Sequence, residues 1–267
     1  MPFPNADGKH EWDALVTPER SAEYSRDVEG PGPETMPEAV VLCYSRDLME
    51  HLVETRPGTH VDDFYGDLYL FDETDGRVGV HGNFGIGAPT AAMVLEDLAA
   101  AGVGAFLSVG FAGCLDDAVG MGDVVVPDRA IRDEGTSHHY AAAGVDAVPT
   151  ESLLAETKRV LRDDGDDPFH VGPTWTTDAI YRETGREVER YADEGVLTVE
   201  MEAAAVFTVA AHRGVDAAAM FVASDYLGPA DWEPKFHLTT ADLRRLGETA
   251  ARVLAAYVGA ESIENGD

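Results

Sequence analysis

Apolar runs of strand length alternate with segments of helical period along most of the chain. Two of these runs, residues 104–110 and 217–223, contain almost no polar side chain, which is typical of strands buried on both faces. The alternation predicts an α/β fold in three layers, α/β/α, around a central sheet. The predicted strands are residues 39–44, 67–71, 77–81, 104–110, 122–127, the start of 170–182, and 217–223; the predicted helices are 47–55, 90–101, 152–163, 186–194, 203–211 and 238–258.

A glycine-rich turn, residues 82–90, joins a predicted strand to a predicted helix. This order is typical of an anion-binding loop, because the first backbone N–H groups of a helix are unpaired. Gly87 is therefore a candidate phosphate ligand. The turn lacks the third glycine of the dinucleotide fingerprint, and no acidic residue follows at the required spacing. We therefore expect no nicotinamide cofactor.

Two glutamates, Glu200 and Glu202, flank Met201 at the start of a predicted helix. Carboxylates are favoured there because the unpaired N–H groups and the helix dipole attract negative charge. Alternatively, one carboxylate faces a pocket, where its oxygens accept both hydroxyls of a sugar diol and Met201 supplies an apolar wall. The local sequence leaves both interpretations open.

Polar residues also follow the first and last predicted strands, at the end where open α/β sheets bind ligands. Arg46 follows the first strand and is either a surface residue of the next helix or an anion ligand. Asp225 follows the last strand and is a candidate site residue by its position. The polar loop 130–140 is either a solvated loop or part of the site, where Arg132, Thr136, Ser137 and His138 are suited to phosphate and ribose.

The chain of 267 residues carries 50 acidic and 19 basic residues, a formal net charge of −31. Because the acids are spread along the whole chain, we expect a uniformly acidic surface that stays soluble in very high salt, as in halophiles. Such a surface repels nucleic acid and anionic membranes, so neither is expected as a partner.

The chain has no run of about 18 apolar residues and no charged-then-apolar leader, so no membrane span or secretion signal is predicted. Cys43 and Cys114 lie in apolar segments without metal-ligand spacing. They are predicted to be buried reduced thiols, with no metal site and a cytoplasmic location. Residues 1–36, rich in proline, glycine and acids, are expected to form a surface extension, followed by one domain at 37–260 and a tail at 261–267.

Six short segments occur in a characteristic order along the chain: Gly85-Ile86-Gly87-Ala88-Pro89, Gly122-Asp123-Val124-Val125, Arg132-Asp133-Glu134-Gly135-Thr136-Ser137, Thr177-Asp178 before Tyr181, Glu200-Met201-Glu202 and Ser224-Asp225. Together they resemble the nucleoside phosphorylase family, which includes uridine phosphorylase, bacterial purine nucleoside phosphorylase and the methylthioadenosine nucleosidases. The resemblance extends from about residue 40 to 257. It implies a central mixed sheet that closes into a distorted barrel. It also implies homo-oligomers, usually hexamers built as trimers of dimers.

The resemblance implies roles for individual residues as well. Glu202 is similar in position to the glutamate that holds the ribose hydroxyls, with Met201 under the sugar, and Asp225 to the general acid at purine N7. The remaining expected ligands are His138 for the ribose; Arg46, Arg132, Thr136, Ser137 and Gly87 for the phosphate; and Tyr181, Ile180, Trp175, Arg182 and Arg186 for the base.

The reaction implied is phosphorolysis of a ribonucleoside to free base and ribose 1-phosphate, with inorganic phosphate as co-substrate and no cofactor. The nucleoside is either uridine or a purine nucleoside such as guanosine or inosine. Ser108 and Phe111 stand where the family's phosphorylases carry a phosphate-binding arginine and a threonine. The family's nucleosidases lack such arginines because water replaces phosphate, so hydrolysis is an alternative. A nucleoside-binding protein without activity on the same fold is a third interpretation.

Overall fold

The computed structural model describes residues 4, 6, 8–29, 32–33, 35–62, 64–165 and 169–264. Helices form in all six segments where the helical period predicts them, and one further helix forms within the predicted N-terminal extension. The described helices are α1 (Pro18–Glu29), α2 (Arg46–Thr55), α3 (Ala88–Ala100), α4 (Glu151–Asp164), α5 (Gly185–Asp193), α6 (Ala203–Arg213) and α7 (Phe236–Glu264).

The described strands belong to one mixed sheet. Their bounds are β1 (Ala39–Cys43), β2 (Gly58–Val61), β3 (Asp67–Phe71), β4 (Val78–Gly82), β5 (Ala105–Cys114), β6 (Val124–Asp133), β7 (Phe169–Thr177), β8 (Thr198–Glu200), β9 (Asp216–Leu227) and β10 (Trp232–Pro234). The strand order is β10-β9-β6-β7-β8-β5-β1-β4-β3-β2, with an additional pairing of β9 to β5.

That additional pairing closes five strands, β5, β9, β6, β7 and β8, into a barrel. Strand β5 runs parallel to β1 along its first half, and its last residues pair antiparallel with β8. A β-bulge between Ala112 and Gly113 allows this change of partner, since a bulge bends the strand and increases its twist. A Cβ at Gly113 would overlap the end of the Leu227 side chain, so glycine allows this close approach without displacing that side chain. The distorted mixed barrel implied by the resemblance is confirmed.

Two segments differ from their local sequence pattern. Residues 112–114 have the small side chains of a turn, yet they continue β5, because pairing with β9 and β8 satisfies their backbone groups. The predicted polar loop 130–140 begins as the last part of β6, which pairs with β7 as far as Asp133. The short strands β2, β8 and β10 were not predicted, because three or four residues carry little periodicity.

Alternate residues of the central strands pack against two separate layers of helices. Val41 and Leu107 lie in a core cluster with residues of α2, α4 and α7. Val40 and Phe106 point the other way, into a cluster with α3 and α6. The α/β/α arrangement predicted from the alternation of elements is therefore confirmed.

The predicted extension and tail are only partly covered, because some residues of 1–36 and residues 265–267 lie outside the described part of the chain. Helix α1 contacts α3, and Glu19 forms an ion pair with Arg213 at 3.1 Å. Cys43 and Cys114 are free and buried, as predicted. No described helix combines the length and the apolar character that crossing a bilayer requires.

Candidate active site

A cavity of about 830 Å³ opens where β1, β5 and β9 end. These strands are parallel neighbours, so their carboxyl ends meet at one edge of the sheet. Further lining residues come from the junction of β8 with α6, from the segment before α5, and from both sides of β10. The cavity is large enough to enclose a small organic ligand.

Glu200 fixes the start of α6. Its Oε2 accepts the backbone N–H groups of Glu202 and Ala203, each at 2.7 Å, and its Oε1 accepts the hydroxyl of Thr176. The Thr176 oxygen in turn accepts the N–H of Ala204 at 3.0 Å. Burial raises the pKa of the Glu200 carboxyl above its ordinary value, and these hydrogen bonds oppose the rise. Glu200 therefore accepts the unpaired N–H groups at the start of the helix, which is the first of the two interpretations that the sequence left open.

Glu202 lines the cavity, and Met201 lies beside it in the wall. Its Oε1 accepts the N–H of Gly87 at 2.5 Å, which ties the glycine-rich turn to α6. Burial, and then the charge of Glu200, raises the pKa of the Glu202 carboxyl. A carboxylate offers about four lone-pair sites, so capacity for ligand hydroxyls remains. Gly87 was predicted as a phosphate ligand, but its N–H donates to Glu202 instead.

Asp225 also lines the cavity and is 6% exposed. Its Oδ1 accepts the hydroxyl of Ser224 and its Oδ2 accepts the indole N–H of Trp232, each at 2.7 Å. Trp232 can reach back because β10 runs antiparallel to β9, placing Trp232 opposite Leu227. The two donors fix the orientation of the carboxyl group at the cavity surface.

The predicted base ligands divide between the cavity and the core. Ile180 and Tyr181 line the cavity, with 48% and 95% of their surfaces exposed. Trp175 does not, and its prediction as a base ligand is wrong. It is 1% exposed, its ring packs on Tyr191, and its indole N–H donates to Asp133 at 2.9 Å. The cause is its direction in β7, which points the ring toward α5.

Arg132 was predicted to bind phosphate, but its guanidinium bonds within its own loop. It donates to the carbonyl oxygens of Ala141, Ala142 and Val145 and to Ser137 Oγ, at 2.8 to 2.9 Å. Ser137 is completely buried. These contacts satisfy the carbonyl groups of an irregular segment, so the arginine and the serine stabilise the loop instead of facing the cavity.

The other predicted residues of this loop and the remaining arginines lie outside the cavity lining. His138 Nε2 lies 3.2 Å from the carbonyl oxygen of Arg132, and Thr136 precedes the 3-10 turn Ser137–His139. These positions correct the predicted contacts with ribose and phosphate, because the loop folds onto its own backbone. The three remaining predicted arginines, Arg46, Arg182 and Arg186, are exposed and lie outside the lining.

The lining that results is strongly acidic. Among the described residues that form it, none is an arginine, lysine, asparagine or glutamine. The acidic members are Glu183, Glu200, Glu202, Asp225 and Asp231. A phosphate anion in this cavity would therefore depend on hydroxyl and backbone N–H donors or on groups outside the lining.

The lining also contains residues that were missed in the sequence, among them Tyr44, Glu183 and Trp232. Ser108 Oγ donates to the Tyr44 hydroxyl at 3.1 Å, and burial raises the pKa of Tyr44 well above its ordinary value. Tyr44 directly follows β1, so the positional argument that selected Asp225 also applies to it. Burial, followed by the charges of Asp225 and Glu187, raises the pKa of Glu183 to about 7. Glu183 stands in a segment with no pattern of its own, and no sequence signal marks it.

The closed barrel and the acid-lined cavity define the class of fold: an α/β protein with a cavity at the carboxyl ends of its strands. The sequence model of the Phosphorylase superfamily matches residues 38–259, and the chain belongs to this superfamily.

Curated relatives come from both the purine and the uridine branch. A guanosine phosphorylase of Halorubrum lacusprofundi is 40% identical over 136 residues, which are 51% of this chain and 56% of that protein. A DeoD-type purine nucleoside phosphorylase of Exiguobacterium sibiricum is 31% identical over 62% of this chain and 75% of its own length. A uridine phosphorylase of Salmonella typhimurium is 30% identical over 54% and 62%. The match thus spans little more than half the length of the first of these relatives.

Solved structures share the fold. The uridine phosphorylase of Vibrio fischeri superposes with a TM-score of 0.68, covering 84% of this chain and 92% of its own, at 22% identity. The AMP nucleosidase of Bacteroides thetaiotaomicron gives 0.67, covering 86% and 97%, at 20% identity. At these identities the similarity establishes the architecture alone, and this architecture occurs in a phosphorylase and in a nucleosidase alike.

Proposed function

We propose that this protein cleaves the N-glycosidic bond of a purine ribonucleoside, with inorganic phosphate as the attacking group, to give free base and ribose 1-phosphate. The observation that carries the proposal is the meeting of Glu202, Met201 and Asp225 in one cavity. Met201 and Glu202 directly precede α6, whereas Asp225 lies in β9, and the resemblance implies a role in the site for each of the three. The names of the purine nucleoside and guanosine phosphorylases among the relatives support the same assignment.

Glu202 and Met201 would hold the ribose. An ionised Glu202 accepts hydrogen bonds from the two ribose hydroxyls while Gly87 keeps its carboxylate in place. Met201 supplies the apolar surface under the sugar. Fixing the sugar in this way aligns its anomeric carbon with the attacking phosphate oxygen, which lowers the entropic part of the barrier.

Asp225 would act at the base. When the bond between C1′ and N9 breaks, its electron pair moves into the purine, and a proton delivered or shared at N7 neutralises the charge. Ser224 and Trp232 hold the Asp225 carboxyl in a fixed orientation for this step. The phosphate oxygen meanwhile forms the new bond to C1′ from the opposite face of the sugar.

The lining favours a purine over uracil. Uracil presents two carbonyl oxygens, one more than a 6-oxopurine, and side-chain N–H groups are common donors to such oxygens. Within the described lining the side-chain N–H donor is the indole of Trp232, and Asp225 already accepts it. A purine instead offers N7 to the acid Asp225. Uridine is therefore the weaker of the two substrates left open by the sequence.

Hydrolysis is a second candidate, favoured by one observation: the described lining contains no lysine or arginine. Its acids repel a phosphate anion but do not repel water. In that case the products would be free base and ribose. The homo-oligomer implied by the resemblance stays a prediction, and it bears on this point because a second copy of the chain could place further groups at the cavity mouth.

The test is base release from guanosine, inosine, adenosine and uridine in molar KCl, with and without phosphate. Formation of ribose 1-phosphate only with phosphate supports phosphorolysis, whereas equal release of base and ribose without it supports hydrolysis. Asp225→Ala should lose most of the turnover, and the exposed Asp193→Ala, with the same charge change, should keep it. Unchanged turnover in Asp225→Ala, or preference for uridine, contradicts the proposal. Absence of cleavage under every condition points to a binding protein.

A further inference from the structure

The imidazole of His81 is buried with one of its two nitrogens unpaired. His81 lies in β4, is 1% exposed, and pairs with Leu42 of β1 on one side and Leu68 of β3 on the other. Its Nε2 lies 2.9 Å from the carbonyl oxygen of Tyr65. A carbonyl oxygen only accepts, so Nε2 carries the proton of the neutral ring. Within the described ranges, Nδ1 of His81 is the buried side-chain nitrogen or oxygen left without a hydrogen-bond partner.

A surface loop, residues 64–66, closes over this ring. The ring of Phe64 meets the imidazole edge to face, with the centroids 6.3 Å apart, and the bond to the Tyr65 carbonyl holds the loop backbone. Gly66 has a φ of 100°, and a Cβ there would overlap the carbonyl oxygen of Gly82. The loop therefore rests directly on the end of β4, and this close approach requires glycine.

The same ring also supports a wall of the candidate active site. Its centroid lies 5.2 Å from that of Phe84 in the glycine-rich turn. Phe84 packs edge to face against Tyr44 at 5.5 Å, and Tyr44 lines the cavity. Three residues after Phe84, the N–H of Gly87 donates to Glu202. His81 thus links a surface loop to the turn that holds two residues of the cavity lining.

A second proton on His81 is unfavourable while the loop is closed, because Nδ1 has no partner there. The titratable groups nearest the ring, taken from the elements packed against it, are Asp67 of β3, Tyr65 of the loop and, behind Phe84, Tyr44. Asp67 attracts a positive charge on His81, although it already accepts the amide of Asn83 at 2.7 Å. Burial outweighs this attraction and lowers the pKa of His81 below its ordinary 6.5.

We propose that residues 64–66 form a pH-sensitive clamp on the cavity wall, which neutral His81 holds closed and protonated His81 releases. Release lets the charged ring reach water, breaks the bond to the Tyr65 carbonyl and withdraws the support of Phe84. The opening is local, because β4 stays paired with β1 and β3 through its backbone.

The sign of the pH dependence follows from the protons bound. The closed clamp disfavours the proton on His81, so it binds fewer protons than the open one. The closed form is therefore favoured above the ordinary pKa of 6.5 and loses ground as the pH falls below it. Since one proton is taken up, the ratio of open to closed clamp rises by at most about tenfold per pH unit.

The experiment measures cleavage by chymotrypsin after Phe64 and Tyr65 in molar KCl, between about pH 5 and about pH 8. Mass spectrometry locates the cut, and each rate is divided by the rate on an unstructured reference peptide at the same pH. In the wild type the ratio should rise by up to about tenfold per pH unit below about pH 6.5. In His81→Gln it should stay constant, because the amide donates to the Tyr65 carbonyl but takes up no proton. The control His60→Gln changes an exposed histidine that bonds Asp67, and it should keep the rise.

Two outcomes would overturn the clamp. A wild-type ratio that does not change with pH would show that His81 does not control the loop. An equal rise in His81→Gln would show that another group controls it.

Gly66→Ala keeps the proposal testable if His81→Gln does not fold. Its Cβ pushes the loop away from the Gly82 carbonyl, so the ratio should be high already at about pH 8 and lose its rise in acid. A wild-type ratio and slope in Gly66→Ala would refute the closed loop. The assay contains no nucleoside, so its outcome does not depend on the proposed function.

Discussion

Alanine at Glu200 and alanine at Glu202 should affect stability very differently, although the two side chains are 6% and 7% exposed. Glu200 accepts two backbone N–H groups of α6 and the hydroxyl of Thr176. Glu202 accepts the N–H of Gly87 and otherwise faces the cavity. We therefore expect Glu200 to stabilise the fold and Glu202 to serve the ligand.

The magnitude follows from the hydrogen bonds that are lost. Each buried donor left without a partner costs about 1–3 kcal/mol. Glu200→Ala leaves two such N–H groups without their acceptor, and hydrogen bonds from water in the adjoining cavity reduce the cost. The free energy of unfolding should therefore fall by about 2–4 kcal/mol. In a chain of this size that lowers the Tm by about 5–10 °C. Glu202→Ala loses one bond but also removes one of two neighbouring buried charges, so its change should stay within about 1 kcal/mol.

The assay combines thermal unfolding in molar KCl with base-release kinetics. Glu202→Ala should keep its Tm but lose about 100-fold or more in kcat/KM, because two charge-assisted hydrogen bonds to the ribose disappear. Glu200→Ala should lose both stability and activity, because the start of α6 carries Glu202. Glu189→Ala, an exposed acid, gives the baseline for removing one charge.

The reasoning is refuted if Glu200→Ala unfolds at the temperature of the wild type, since its hydrogen bonds would then contribute nothing. It is also refuted if Glu202→Ala loses as much stability as Glu200→Ala. Full activity in Glu202→Ala would remove the ribose assignment while leaving the role of Glu200 intact.

Three further predictions concern pH, packing and salt. Because burial raises the pKa of Glu200 and Glu202 above the ordinary 4.5, the folded state holds more protons than the unfolded state, so stability should fall as pH rises from about 5 to about 8. The Tm of Glu202→Gln should fall less steeply, and parallel slopes would contradict the pKa direction. Gly185→Ala should lower both the Tm and kcat/KM, because the added Cβ pushes against Pro229 and separates two walls of the cavity. Wild-type values in both assays would contradict this prediction, because they would show that the backbone shifts there at no cost. With a net charge of −31, the Tm should rise steeply between about 0.2 M and about 3 M KCl, and a constant Tm would argue against a halophilic surface.

The fold was largely predictable because its signals are local. The buried strand around Phe106 and the amphipathic helices have the right period in their own residues, whatever surrounds them. Barrel closure could be predicted only from the resemblance, since nothing within residues 111–114 shows that they pair with two other strands. A pairing between distant segments leaves no trace in the periodicity of either one.

The candidate site was predictable in part. Asp225, Glu202 and Met201 were found from their position and order, and the cavity brings them together. Arg132 and Trp175 were chosen for their chemical type, yet they bond to the loop carbonyls and to the core. The sequence shows which hydrogen bonds a side chain can form, but it does not show which groups of the folded protein form them.

The sequence by itself determined the alternation of strands and helices, the acidic surface charge and the order of motifs that marks the superfamily. Only the tertiary structure decided which of two neighbouring glutamates has both carboxylate oxygens engaged by the protein and which keeps one oxygen without such a bond. The register of β7 against β8 sets Thr176 beside Glu200, and the glycine-rich turn brings the N–H of Gly87 to Glu202. The physical reason is that a buried carboxylate takes its role from the donors within hydrogen-bonding distance, and here long-range packing brings several of those donors from distant parts of the chain.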